Sequence, residues 1–204
     1  SQENLLQARN LIESLQLAEL ENFFRASCLD ANPELIDRVV DREDKTAAVI
    51  YPIILSDRIQ VILKLPTQEK LRHYVTYKSQ IEVEKLLDEL RRQLTEPDAI
   101  EDVKSLSQQV YDWLIKPAAT DLAQSNVKTL VFVLDGALRN VPMAALYNGK
   151  QYLVENYSIA LTPGLQLLEP KPLQTEKLQA LIGGLTEARL GFSALPNVEN
   201  EVKE

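Results

Sequence analysis

The sequence predicts an α/β fold, and three observations predict it. Residues 47–55 and 58–65 are apolar, β-branched runs joined by Ser56-Asp57, which is the pattern of a hairpin. Residues 79–94 and 97–114 place apolar side chains at helical spacing. Residues 130–134, Leu-Val-Phe-Val-Leu, form a bare apolar run between polar turns. Such a run suits a strand buried on both faces.

Taken in order, residues 3–28 read as helix. Leu5, Ala8, Ile12 and Leu15 recur at helical spacing and Leu20, Phe23 and Phe24 follow. A turn near residues 17–20 would divide this stretch into a helix pair, which is either plain core or the last unit of a helical repeat array. Residues 30–46 hold Asn32-Pro33 and the charge cluster Asp41-Arg42-Glu43-Asp44-Lys45 and read as a loop. In the returning strand of the hairpin, Ile59, Val61, Leu63 and Leu65 alternate with Arg58, Gln60 and Lys64. Pro52 lacks a donor, so its strand is expected at a sheet edge or at a bulge. Residues 71–77 add a third strand.

Ser79 and Glu82 form a capping box. Val83, Leu86, Leu87, Leu90 and Leu94 then make one apolar stripe. Pro97 suits the first turn of a second helix, with Val103, Leu106, Val110, Trp113 and Leu114 on one face. Pro117 interrupts it and a short helical piece continues to Ala123. After the strand at 130–134, Asp135-Gly136 turns the chain and Pro142 starts one helical turn. Asn148-Gly149 is the strongest tight-turn signal. Residues 152–154 and 157–161 read as short strands. Thr162 and Pro163 suit a helix start. Residues 178–182 form a further buried strand ending in Gly183-Gly184, and Asn197 caps a helix that the chain does not complete.

Composition narrows the function classes. Hydrophobic residues make up 45% and charged residues 25% of the 204 residues, as expected of a globular protein. Lys and Arg number 22 against 30 Asp and Glu, a formal net charge of −8. No basic run exceeds Arg91-Arg92, which argues against a nucleic-acid partner. No apolar run approaches the roughly 18 residues of a membrane span. The polar start Ser1-Gln2-Glu3-Asn4 is not a secretory signal. With a single cysteine, Cys28, no internal disulfide or paired-cysteine metal motif forms. The expected localisation is cytoplasmic, with no membrane partner. A start at Ser1 rather than Met is consistent with a piece of a longer protein.

Candidate chemistry is sparse. A nucleophilic dyad needs a nucleophile beside a base. The single histidine, His73, lies inside a strand, and Cys28 lies at a helix end, where a small core role is the simpler reading. Asp135-Gly136 either holds a cation or simply makes the turn after its strand. Gly183-Gly184 lacks both a Walker lysine and the dinucleotide spacing. Glu199, Glu201 and Glu204 lack metal-ligand spacing and suit a solvated face. Tyr147, Tyr152 and Tyr157 suit packing. These residues call for no catalytic, cofactor-binding or metal assignment.

The order of these pieces nevertheless resembles a family. A strand ending in Asp135-Gly136 comes first. Pro142 with Ala144, Ala145 and Leu146 follows, then Tyr152-Leu153-x-Glu155, Thr162-Pro163 and the terminal LPNVENEVKE. Together they are similar to the front half of a CHAT domain, the caspase-like cysteine peptidase domain often found behind tetratricopeptide repeats. The segment AAVIYPIILSDRIQVILKLP resembles the hairpin preceding that domain in cyanobacterial members. The resemblance is loose over the whole chain and tighter over 127–204.

It implies a caspase-like three-layer sheet, incomplete in this chain, with an N-terminal helix pair and a β-hairpin. Three regions follow: 1–29 helical, 30–126 hairpin and two-helix accessory, and 127–204 the first part of the caspase-like domain. The family's catalytic histidine sits in a His-Gly motif and its cysteine in a Ser-Ala-Cys type motif. Neither occurs in this sequence, and both are expected beyond Glu204, so no catalytic residue is carried over. The resemblance implies a non-catalytic portion whose partners are the remainder of the CHAT domain and a protein substrate or regulator. The alternative is a regulatory or interaction module that hydrolyses nothing, with the hairpin at 47–65 as its binding surface.

Overall fold

The computed structural model describes residues 1–24, 34–162 and 165–166, with isolated positions between 186 and 200. Cys28, the strand expected at 178–182, Gly183-Gly184 and the acidic positions 199, 201 and 204 lie outside the described residues. The chain divides into two compact units, residues 1–168 and 169–204. In the second, Val198 N donates to Leu195 O (3.2 Å) and Asn200 N to Asn197 O (3.1 Å), turn bonds at the position of the expected Asn197 cap.

The first unit runs α1 Gln2–Phe24, β1 Glu34–Leu35, α2 Ile36–Glu43, β2 Ala47–Ile54, β3 Ile59–Lys64 and β4 Arg72–Thr76. It continues with α3 Gln80–Gln93, α4 Ile100–Leu114, α5 Ala119–Gln124, β5 Thr129–Val133, α6 Leu153–Asn156, β6 Ser158–Thr162 and β7 Leu165–Gln166. Five strands form a mixed open sheet in the order β4-β3-β2-β5-β6. β2, β3 and β4 are an antiparallel meander. β5 lies parallel to β2 on one side and to β6 on the other. The short β1 and β7 pair separately.

Strand alternation sends side chains to two cores. Ala48 and Ile50, Ile59, Val61 and Leu63, and Leu130 and Phe132 face α3, α4 and α5. Ala47, Val49 and Tyr51, Ile62, and Val131 and Val133 face the opposite way, toward Leu5, Ala8 and Ile12 of α1 and Ile36 of α2. The sheet is thus covered on both faces. This explains why β5 reads as an unbroken apolar run rather than an alternating one. Phe132 and Tyr51 are fully buried. Withdrawing one such side chain from water stabilises the fold by roughly 1.5–3 kcal/mol.

Several local expectations change. Residues 2–24 form one helix, without a break at 17–20. The loop expected over 30–46 contains α2, because Ile36, Val39 and Val40 make a short apolar stripe just ahead of the charge cluster. The hairpin at 47–65 is the interior of the sheet and not a binding surface: Ala47 to Tyr51 and Val61 to Leu65 are buried. Lys64, expected on a polar face, is buried there and pairs with Asp41 of α2.

Pro52 sits in a central strand with continuous register, not at an edge or a bulge. Leu55 N donates to Arg58 O at the hairpin end. Counting back by alternation puts Pro52, opposite Val61, at a non-hydrogen-bonded position toward β3. On its other side the ladder to β5 has already ended at Ile50 opposite Phe132. No ladder bond is lost, so the central position is tolerated.

Pro97 precedes α4 without entering it, and Ala99 is the cap. Ser79 caps α3, its hydroxyl accepting from Glu82 N (3.3 Å), while the Glu82 carboxylate pairs with Lys78. Residues 153–156 are helical rather than extended, because the Glu155 carboxylate captures Tyr152 N (2.5 Å). Thr162, expected to cap a helix, instead ends β6, Leu165–Gln166 is paired strand, and the expected helix start Pro163 lies outside the described residues.

Candidate functional site

The C-terminal ends of β5 and β6 lie side by side, and a pocket of about 240 Å³ opens there, lined by Phe132, Leu134, Arg139, Leu161 and Thr162. In parallel sheets this is the end where ligands are held, because the loops leave it and the strand side chains converge beneath them. The walls are apolar. The polar elements are one guanidinium and one hydroxyl.

Local chain geometry positions Arg139. Asp135 is extended and caps a 3₁₀ turn, Gly136–Asn140, its Oδ1 accepting from Gly136 N at 2.8 Å. Gly136 adopts φ +52, a conformation that favours glycine. One turn later Arg139 reaches back. Its Nε donates to Leu134 O (3.2 Å), and its Nη2 meets Asp135 Oδ1 (3.3 Å) and Glu19 Oε2 of α1 (2.6 Å). The Leu134 carbonyl also accepts from Gln16 Nε2 at 2.9 Å. Both acceptor sites of the carbonyl at the end of β5 are therefore filled by side chains. The ion pairs are about 40% exposed, so each contributes little stability. Their effect is to fix the direction of Arg139.

The candidate cation residue Asp135 is thus occupied as a cap and an ion-pair partner. Among the described residues, no three His, Cys, Asp or Glu side chains come close enough together to hold a metal ion. His73 is exposed on β4, opposite Ile62, at the far edge of the sheet from the pocket. Tyr147 and Tyr152 pack against each other with ring centroids 5.3 Å apart, closing the Asn148-Gly149 turn. Tyr157 is half-buried against the core cluster that includes α4, and burial raises its hydroxyl above the usual phenol range.

A second polar couple lies at the opposite edge of the sheet, on β4. The Tyr74 hydroxyl donates to Asp121 of α5. Burial first, and that carboxylate second, push its pKa well above the ordinary value, which keeps the phenol protonated. Beside it, Thr76 Oγ1 donates to Trp113 O (2.9 Å) and Lys78 Nζ stands 5.4 Å from the Trp113 ring. These contacts tie the edge strand β4 to α4 and α5. They offer neither a nucleophile nor a base.

Sequence reasoning found Asp135 but missed Arg139, Gln16 and Glu19. The four-residue spacing from Asp135 to Arg139 was the available signal. The α1 partners lie more than 110 positions away and left none.

Residues 104–204 match the family described as the CHAT domain. That segment contains β5, β6 and the whole pocket, while Gln16 and Glu19 lie outside it. Among solved structures, a chain of a PilM-PilN type IV pilus biogenesis complex is 18% identical over 61% of this chain and 38% of that chain, with a TM-score of 0.28. This chain therefore spans well under half of that one. No curated protein matches.

Proposed function

From the membership of residues 104–204 in the CHAT domain family, we propose that this chain is the N-terminal, non-catalytic portion of a caspase-like cysteine peptidase. It completes the peptidase sheet and shapes the substrate groove. Its partner is the remainder of the CHAT domain, in the same polypeptide or in a second one. There a thiolate, assisted by histidine, attacks the peptide carbonyl.

The observation that carries this reading is the contrast between the two sheet edges. β4 presents Arg72 and His73 at the outer edge of the meander, and inward or flanking charge is how natural edges resist pairing. β6 is a parallel strand, Ser-Ile-Ala-Leu-Thr, with no charge and no partner on its outer side among the described residues. Leu161 is 60% exposed. Parallel strands are normally interior, so an uncharged parallel edge suits the addition of further sheet.

The test pairs composition with activity. Intact mass under denaturing conditions of the natural protein should give one longer polypeptide, or this chain with a second in equal amount. Alkylating a cysteine outside this chain should then abolish proteolysis. A chain that occurs alone near 23.1 kDa, without proteolysis, would support the non-hydrolytic interaction module instead.

A further inference from the structure

The pocket at the ends of β5 and β6 holds two hydrogen-bond donors that the fold itself does not use. Arg139 engages Leu134 O through Nε, and Asp135 and Glu19 through Nη2, while its Nη1 donates to none of the described residues. The Thr162 hydroxyl makes no hydrogen bond to a described residue either. The other lining side chains, Phe132, Leu134 and Leu161, are apolar. A guanidinium and a hydroxyl set in apolar walls suit a ligand with a carboxylate head and an apolar body. Volume limits that body. At roughly 30 Å³ for each water-sized group, a pocket of about 240 Å³ takes about eight non-hydrogen atoms, the size of a six-carbon acid.

Charge decides how such a ligand enters. Arg139 already meets two carboxylates, those of Glu19 and Asp135, so a third anion simply added there would be repelled. Exchange avoids the repulsion. Glu19 comes from α1, and its side chain is 45% exposed in the pair, so its release costs little. Asp135 stays, because it caps the same 3₁₀ turn. When a ligand carboxylate replaces that of Glu19 on the guanidinium, the net charge around Arg139 is unchanged.

We propose that this pocket binds a small free monocarboxylate with an apolar chain of about six carbons, its head on Arg139 and Thr162, and that Glu19 of α1 is its internal competitor. The site is independent of the peptidase reading, and its test reads no proteolysis. Saturation-transfer NMR on the natural full-length protein measures the affinity for hexanoate. Hexan-1-ol, with the same chain and no charge, should bind about tenfold more weakly, and Arg139→Gln should weaken hexanoate by a similar factor. Glu19→Ala should tighten hexanoate by about two- to fivefold, the share of an exposed ion pair. That gain keeps the test decisive even if Arg139→Gln disturbs folding, since a misfolded chain does not bind more tightly. N-acetyl-leucine carries the same head on a peptide C-terminus, exceeds the pocket, and should bind more weakly than hexanoate. Absence of hexanoate binding, equal binding of hexan-1-ol, or no gain in Glu19→Ala would overturn the proposal. Tighter binding of N-acetyl-leucine would overturn the free acid as the ligand.

Discussion

The side-chain amide of Gln16 donates to the carbonyl oxygen of Leu134 across 2.9 Å, joining positions 118 apart in sequence. Its own Oε1 is buried and finds no hydrogen-bond partner. The residue therefore gains from its donor and loses on its acceptor. Replacement by Met, of similar volume, removes both terms, and the Leu134 carbonyl keeps Arg139. Gln16→Met is expected to change stability by less than about 1 kcal/mol. Gln16→Glu instead sets a buried carboxylate against a carbonyl oxygen, and a loss of roughly 3 kcal/mol is expected. Urea unfolding of the two variants checks the contrast, and equal losses would mean that packing alone matters there.

Tyr51 makes the second such link. Its ring is fully buried in the sheet, and its hydroxyl donates to Glu13 Oε1 at 2.8 Å. Losing one partner of a buried hydrogen bond costs about 1–3 kcal/mol. Tyr51→Phe keeps the ring and should lose an amount in that range in chemical denaturation. A near-zero effect would show that water replaces the hydroxyl and that α1 is not tightly seated at this point.

Thr67 holds a left-handed backbone, φ 59, which is rare for a β-branched residue. It follows Pro66 in a turn where Gln68 N donates to Leu65 O (3.3 Å). Its own amide donates to Asp41 Oδ1 (3.4 Å). Strain of this kind costs roughly 1–3 kcal/mol, against about 0.5–1 kcal/mol for the extra backbone freedom of glycine. Thr67→Gly should therefore raise stability by about 1 kcal/mol, seen as a higher midpoint in thermal unfolding.

The same contrast between local and distant causes decides what could be read in advance. The hairpin, the helices after Ser79 and the bare strand at 130–134 are set by local pattern, and all appear where the periodicity puts them. The central place of Pro52 depends on where a parallel neighbour's ladder stops, which alternation within one strand cannot report. α2 was hidden because three apolar residues among charges fit a loop as well as a short helix. Residues 153–156 turned helical through one carboxylate-to-amide bond that outweighs the strand preference of Tyr152 and Val154. At the pocket, Asp135 was legible as a turn residue after a strand. The role of Arg139 needed α1, whose seat on the sheet rests on pairs far apart in sequence.

Asp44 ties the starts of two neighbouring strands and gives the fold an acid-sensitive point. Its Oδ1 accepts from Thr46 N (2.8 Å) and Thr46 Oγ1 (2.7 Å), and its Oδ2 accepts from Thr129 Oγ1 (3.0 Å) at the head of β5. Partial burial pushes its pKa upward, but these hydrogen bonds, with Lys128 nearby, outweigh burial and hold the carboxyl below its usual value. A depressed folded-state pKa stabilises the fold above the unfolded value of about 3.9. That contribution is lost as pH falls through the unfolded value toward the folded one. Asp44→Asn keeps acceptor oxygen but cannot titrate. The variant should be less stable than the parent at pH 7, and the difference should narrow as the pH is lowered below about 4. Denaturation midpoints at several pH values check this, and a gap that stays constant would mean that the charge of Asp44 contributes nothing beyond its hydrogen-bond geometry.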